Sequence, residues 1–313
     1  MNNEDLVRFT ARFRDILTKP RAQQLALFSR LGEELASFTS AEEWNTSFDI
    51  DSLYEAMTRL SIVRNIYRET RLRIRDHLGK LETPWHVVEL GAGNGAVWRD
   101  FMTEGLPGRL TVVDPVESVH STVSAILPDC VEYQAITDKV EDCLPLPECD
   151  VVLISLMLHH VAGRSAADKQ RVGLHGPGKL EILKAVRESV ASTNGIVVVN
   201  EGDVYADIDL APGDCSLVNN FIDGYVRRFA LSILDDIEER KPDEVLRNRW
   251  LTLMKKWSFE QVDQGRKPWG ERDVYELDVA RWMKLFNDSG FRVEQHGYLD
   301  EYLLFHQYVL RPA

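Results

Sequence analysis

Cysteine is scarce in this 313-residue chain. The four cysteines, at positions 130, 143, 149 and 215, form no CxxC pair and show no spacing suited to zinc. They are too few for a disulfide framework, which favours a reducing compartment. Long apolar runs are missing as well: no stretch approaches 18 apolar residues, and the longest, such as Val151 to Leu158, has the length of a buried strand. The opening residues, MNNEDLVRFTARFRDIL, carry charge throughout and lack the apolar centre of a signal peptide. Basic charge is in deficit, with 37 Lys+Arg against 50 Asp+Glu and a net charge of −13. That balance disfavours a nucleic-acid partner, which needs a basic face to neutralise phosphates. The expectation is a soluble cytoplasmic protein with neither membrane nor nucleic acid as partner; the sequence leaves an oligomer open. Internal repeats and low-complexity linkers are also lacking.

What is present is ordinary globular composition, 44% hydrophobic and 28% charged, in a length suited to one large domain or two moderate ones. From Leu6 to about Lys80 apolar residues recur at helical spacing, as in Leu6, Phe9, Phe13, Ile16 and then Leu25, Phe28, Leu31, Leu35. A third helical run spans 53–78 and carries Arg59, Arg64, Arg68, Arg71, Arg73 and Arg75, which read first as a solvated face. The grammar changes at Pro84. Short apolar strands at 85–90, 110–113, 131–135, 150–155 and 196–199 alternate with amphipathic stretches, notably 179–190. Near-continuous apolar strands between helices are the mark of a parallel sheet covered on both faces. After Glu201 the alternation stops: 216–262 and 273–288 read as helices, and 291–296 and 302–310 return to strand around a turn at Asp300-Glu301.

The segment Glu89-Leu-Gly91-Ala-Gly93-Asn-Gly95-Ala96 follows the first strand and precedes an expected helix. Glycines there let backbone amides approach a ligand closely. Gly91, Gly93 and Ala96 also satisfy the dinucleotide fingerprint, so the loop alone does not choose a ligand. Glu89 sits where a pyrophosphate would be repelled and a ligand bearing an ammonium and a sulfonium attracted. Asp114 ends the next strand, where a carboxylate can accept both hydroxyls of an adenosine ribose.

With VVELGAGNGA at 87–96, LTVVDP at 110–115, DVVLISLMLHHV at 150–161 and LEILKAVRESVASTNGIVVVNEGD at 180–203, the sequence resembles the class I S-adenosylmethionine-dependent methyltransferases. The likeness covers about residues 53–313 and is nearest to the small-molecule group of quinone and natural-product biosynthesis. It implies a Rossmann-like α/β fold with a seven-stranded, mostly parallel sheet and an antiparallel last strand. It implies S-adenosyl-L-methionine as cofactor and methyl transfer to a small-molecule acceptor, at oxygen first, then nitrogen or carbon. The implied organisation is a helical N-terminal segment or lid (1–80), a cofactor-binding core (81–203), a helical substrate cap (204–273) and completion of the core (274–313). Carried over position by position, the methionine end of the cofactor lies against Glu89, Gly91, Gly93 and Gly95. The ribose lies at Asp114, with Pro115 and Val116 beside the adenine. Asp138, Val140 and Glu141 match the adenine-contact stretch loosely, and Ser155 and Leu156 close the methionine pocket. Ser192-Thr-Asn194-Gly195 departs from the family's usual Pro-Gly-Gly, far from the methyl group.

His160 and His159 stand just past the fourth strand, where either can take a proton from the acceptor or simply anchor the loop. Glu201 and Asp203 follow the fifth strand at the same edge and suit acid–base work or a turn; no convergent metal-ligand set is recognisable. Gly163–Gly178 reads equally as a lid or a surface loop. In 204–275, the rings of Phe221, Tyr225, Trp250, Trp257 and Trp269, with Arg227 and Arg228, suit either a helical core or an acceptor pocket. Two alternatives stay open: a protein of this fold that binds the cofactor without methylating, as a cyclase or as a regulatory or partner subunit, and an NAD-dependent oxidoreductase.

Overall fold

The computed structural model describes residues 3–20, 22–24, 26–28, 30–31, 50–81, 84–99, 101, 107–161, 177–192, 194–204, 214, 218, 220–268 and 275–313. In chain order the elements are helices α1 (Asn3–Thr18), α2 (Ile50–Thr58) and α3 (Ser61–Leu78), strands β1 (Trp85–Leu90) and β2 (Gly108–Val113), helix α4 (Glu117–Ser124), and strands β3 (Val131–Ile136) and β4 (Val151–Ser155). Helix α5 (Pro177–Ala191), strand β5 (Ile196–Gly202), helices α6 (Arg227–Arg240), α7 (Glu244–Arg266) and α8 (Val279–Asp288), and strands β6 (Phe291–Tyr298) and β7 (Phe305–Pro312) follow. The chain divides into two compact units, one of residues 1–64, 204–272 and 300–304, the other of 65–203, 273–299 and 305–313.

The first unit is helical. Its aromatic residues are spent on one another: Phe13 packs on Phe28 at 4.9 Å and Phe229 stacks on Trp257 at 4.4 Å. Trp250 is fully buried and donates its indole N–H to the Ala56 carbonyl at 2.8 Å. The rings at 221, 225 and 250 are buried core and Trp257 is partly buried against Tyr225 and Phe229; Trp269 lies outside the described residues. Arg227 pairs with Asp223 at 3.3 Å, and Arg228 donates to the Tyr302 carbonyl. The expected single helical run over 53–78 is two helices. The Asp236 carboxylate accepts the Ser61 N–H at 2.7 Å and so begins α3 afresh, supplying from α6 the cap that the local sequence lacks.

The second unit holds a seven-stranded sheet in the order β3-β2-β1-β4-β5-β7-β6. Strands β1 to β5 run parallel, while β7 is antiparallel to both β5 and β6, as the sequence reading expects. Residues 87, 88, 90, 110, 112, 151–154 and 197–199 are all fully buried, which explains why these strands read as unbroken apolar runs. Ile74 and Leu78 of α3 join Trp85, Val87, Trp98, Leu110, Val123 and Val198 in the core on one face. The expected strand from Tyr302 begins instead at Phe305. The Asp300 carboxylate accepts the Leu304 N–H at 3.1 Å and Leu303 adopts a φ of 59°, so apolar residues 302–304 lie in a turn. The order of strands reverses between β1 and β4, and at such a switch point the loops from the carboxyl ends part to leave a crevice.

Gly108 fits the register of β2 for a packing reason. It lies opposite Trp85, and a Cβ there would stand 2.2 Å from the indole. Gly108→Ala should therefore destabilise the protein by about 1–3 kcal/mol through overpacking. Thermal or urea unfolding would measure this, and Trp85→Phe in the same chain should recover part of the loss.

Candidate functional site

The crevice is built by four loops at the carboxyl ends of β1, β2, β4 and β5. After β1 the chain turns at Gly91, whose φ of 76° lies in the left-handed region and whose N–H donates to Val113 on β2 at 2.9 Å. A Cβ at Gly91 would stand 2.8 Å from Met157 Cγ, so this loop and the loop after β4 meet at a glycine's width. Residues 96–99 and 101 lie in turns, with Trp98 N–H to Gly95 O at 2.9 Å and Phe101 N–H to Trp98 O at 3.1 Å; the rest of the stretch where a helix is expected after the glycines lies outside the described residues. Trp98 is fully buried in the core and its indole N–H donates to the Glu89 carboxylate at 2.5 Å. Arg71 of α3 donates to the Ala96 carbonyl at 3.3 Å and supports the loop from the other side.

Asp114 is the best-oriented carboxylate of the cofactor set. Its Oδ1 accepts the Val116 N–H at 2.9 Å and its Oδ2 the Gly93 N–H at 3.4 Å, and it is 6% exposed. His120 holds the Asp114 carbonyl at 2.9 Å with one ring nitrogen and the Tyr133 hydroxyl at 2.8 Å with the other. Pro115 and Val116 beside it are exposed and offer an apolar surface. On the next loop Asp138 is exposed, Glu141 is partly buried and Val140 is buried in a short 3-10 turn. Glu89 is buried, 1% exposed. Burial, with Asp114 nearby, pushes its carboxyl up to about 7 against the opposing Trp98 hydrogen bond.

Past β4, Ser155 and Leu156 are tied to β5. Asn200, fully buried, donates to Ser155 Oγ at 3.1 Å, and its backbone carbonyl accepts the Leu156 N–H at 2.9 Å. Leu156 adopts a φ of 53°, which turns the chain into the short helical turn Leu158–His160. Glu201, also fully buried, uses both carboxylate oxygens on that turn: Oε1 accepts the Leu158 N–H at 2.8 Å and Oε2 meets His159 Nδ1 at 2.8 Å. His159, Glu201 and the turn are thus brought together, whereas His160 is exposed and touches the pair through its ring, 4.2 Å from that of His159. Burial works to lower the His159 value, but the Glu201 charge and hydrogen bond, with Glu276 behind them, hold it above the ordinary imidazole value. In the neutral imidazole a carboxylate at Nδ1 can only accept, which puts the proton on Nδ1 and the lone pair on Nε2.

Asp203 lies apart from this pair, 3.6 Å from the buried His306. No group of three metal-ligating side chains is present among the described residues. Residues 163–176 of the anticipated lid lie outside the described residues. Sequence reasoning missed Trp98, Asn200, Lys179 and Glu276; the Asn-Glu pair closing IVVVNEG was the one visible signal, since polar residues ending a buried strand need partners.

The raised Glu89 value has a sign in stability. Its folded value lies above the unfolded one of 4.5, so the stabilising protonated form is complete below about pH 4.5 and lost as pH rises through about 7. Glu89→Gln keeps an acceptor for Trp98 without the charge. Unfolding at pH 8 should show the variant roughly 2–4 kcal/mol more stable than the parent, and unfolding at pH 4 should show no gain.

Residues 88–172 match the family model described as a methyltransferase domain. No curated protein matches the chain in sequence. Among solved structures, the chain is similar to the magnesium protoporphyrin IX methyltransferase of Synechocystis PCC 6803, with 11% identity, 80% of this chain and 85% of that one covered, and a TM-score of 0.44. It is also similar to the Burkholderia thailandensis 1,6-didemethyltoxoflavin-N1-methyltransferase, with 14% identity, 88% and 92% covered, and a TM-score of 0.47. A third is a SAM-dependent methyltransferase of Leishmania major, with 13% identity, 87% and 85% covered, and a TM-score of 0.44. The match over 88–172 spans the glycine loop, the Asp114 loop and the His159 turn.

Proposed function

We propose that the protein transfers a methyl group from S-adenosylmethionine to a small-molecule acceptor, and that His159, paired with Glu201, is the base that takes the acceptor's proton. The observation that carries the reading is the Asp114 loop beside the family match. A buried carboxylate, each oxygen already fixed by one backbone N–H, keeps a lone pair for a ribose diol next to an exposed apolar wall at Pro115 and Val116. The residues fit that cofactor: Gly91 leaves a backbone surface where any side chain would strike Met157, and Glu89 places a carboxyl beneath the cationic end. Gly93, Gly95, Ser155 and Leu156 would line the methionine portion, and Asp138, Val140 and Glu141 the adenine. When bound, S-adenosylmethionine supplies an activated methyl on a sulfonium.

The chain then contributes position and a proton acceptor. Glu201 holds His159 with Nδ1 protonated, which leaves Nε2 to accept the proton of a hydroxyl or amine as its lone pair is used. Holding the acceptor in line with the methyl supplies most of the rate, because the donor is already activated. Oxygen is the preferred acceptor atom, then nitrogen, since both release a proton for His159 to take. The acidic chain, with net charge −13, speaks against nucleic acid as acceptor, and no helix among the described residues is long and apolar enough to cross a membrane. The reading places the protein in the cytoplasm.

Two measurements test it. Calorimetry should show S-adenosylmethionine or S-adenosylhomocysteine binding, weakened at least ~10-fold by Asp114→Ala as the ribose hydrogen bonds are lost. Binding of NADH in its place would overturn the reading. With an acceptor identified by transfer of labelled methyl to a panel of hydroxyl- and amine-bearing metabolites, His159→Gln should lower turnover by roughly 10²–10⁴-fold with cofactor affinity unchanged. His160→Gln should leave turnover within about threefold, and the reverse ranking would move the base to His160.

A further inference from the structure

Asp114 is gripped by its backbone as well as by its carboxylate. Its N–H donates to the Ile136 carbonyl at the end of β3 at 3.1 Å, and its own carbonyl meets Nε2 of His120 at 2.9 Å. With both peptide groups held, the backbone torsions of Asp114 are set, and the Val116 and Gly93 amides then fix the carboxylate. His120 is the fourth residue of α4 and shares the buried face of that helix with Val123. A leucine would fill such a face without polar nitrogens to satisfy, so a histidine there needs a partner at each nitrogen. It has them: Nδ1 meets the Tyr133 hydroxyl of β3 at 2.8 Å, and His120 is 7% exposed.

The direction of each bond follows from its partners. The Asp114 carbonyl can only accept, so Nε2 carries a proton. In the neutral ring Nδ1 then holds the lone pair and accepts the Tyr133 O–H. Burial, with Glu89 and Asp114 nearby, pushes the Tyr133 hydroxyl up to about 12, so it keeps the proton it donates. The Tyr133 ring also packs against the core beneath the sheet. Position is thus passed from a ring anchored in the core, through an imidazole, to the peptide of the carboxylate. We propose that His120, held by Tyr133, is a positioning residue for the ribose diol: it aims Asp114 without touching the ligand, and so sets the preference for a cofactor that carries both ribose hydroxyls. This inference rests on reading Asp114 as the ribose partner.

The test compares, by calorimetry on the full chain, binding of S-adenosylhomocysteine and of its 2′,3′-dideoxy analogue, which lacks both hydroxyls. The parent should prefer S-adenosylhomocysteine by ~10-fold or more, because only the diol makes charge-assisted hydrogen bonds to Asp114. His120→Leu should weaken S-adenosylhomocysteine by roughly 5–10-fold and the analogue by less than about threefold, so the preference shrinks. Tyr133→Phe, which keeps the ring and its packing, should lower the preference by about two- to threefold. His120→Gln should restore most of the parent preference, since its amide N–H reaches the place of Nε2. His120→Asn, one carbon shorter, should behave like His120→Leu. A role confined to holding α4 in place would weaken both ligands alike and lower the melting temperature with the preference intact. That result would overturn the proposal, as would Gln and Asn variants with equal preference. Should His120→Leu fail to fold, Tyr133→Phe decides: a reduced preference supports the proposal and an unchanged one removes it. A parent without preference for the diol overturns the reading of Asp114 and this inference with it, whereas a parent preference that His120→Leu leaves unmoved overturns this inference alone.

Discussion

The carboxylate of Glu201 is the constraint on which the site depends. It is fully buried at the end of β5 and gives one oxygen to a backbone N–H and the other to an imidazole, both on the turn that follows β4. A buried carboxylate can be tolerated only where its lone pairs are used, and here the partners lie 42 and 43 residues away in sequence. The parallel pairing of β4 with β5, with Ser155 opposite Asn200, brings the two strand ends level so that this contact can form. Register, not local sequence, therefore decides that His159 rather than His160 faces a carboxylate.

Two buried glutamates within one crevice acquire opposite chemistry from their surroundings. Glu89 accepts the Trp98 indole N–H and has Asp114 close by, and burial drives its proton affinity up. Glu201 sits among a backbone N–H, an imidazole and the field of Lys179, and it raises the basicity of its neighbour. Sequence position alone would treat the two alike, since each stands at the carboxyl end of a buried strand. The difference lies in which donors the fold aims at each group.

Much of the sheet was legible because its physics is periodic. Strands buried on both faces must be apolar throughout, so β1, β4 and the first half of β5 announce themselves, and Asp114 stands out as the first charge after Val112-Val113. The failures arose where a distant group overrides a local pattern. Asp236 restarts a helix at Ser61, and Asp300 takes the Leu304 N–H from an apolar stretch. Lys179 was hidden for a similar reason. It lies at the start of an amphipathic helix, where a lysine normally reads as solvent-facing, and only tertiary structure brings Glu201, Glu276 and Val161 around it.

The two faces of β5 complete the argument for a preorganised site. Successive residues of a strand point to opposite faces, so Asn200 and Glu201 anchor the strand end from both sides. On one face Asn200 donates to Thr70 of α3 at 2.9 Å and to Ser155 of β4 at 3.1 Å, and accepts from Gln307 of β7 at 3.1 Å. On the other, Glu201 holds the histidine turn. In the methyl transfer proposed above, a base serves only if its lone pair is already aimed when the acceptor arrives, because searching for that geometry costs entropy. Here His159 is held by a side chain whose own backbone cannot move without breaking a largely buried network on the opposite face. The rigidity of His159 is thus borrowed from the sheet, and a loop histidine acquires the precision of a residue on a central strand.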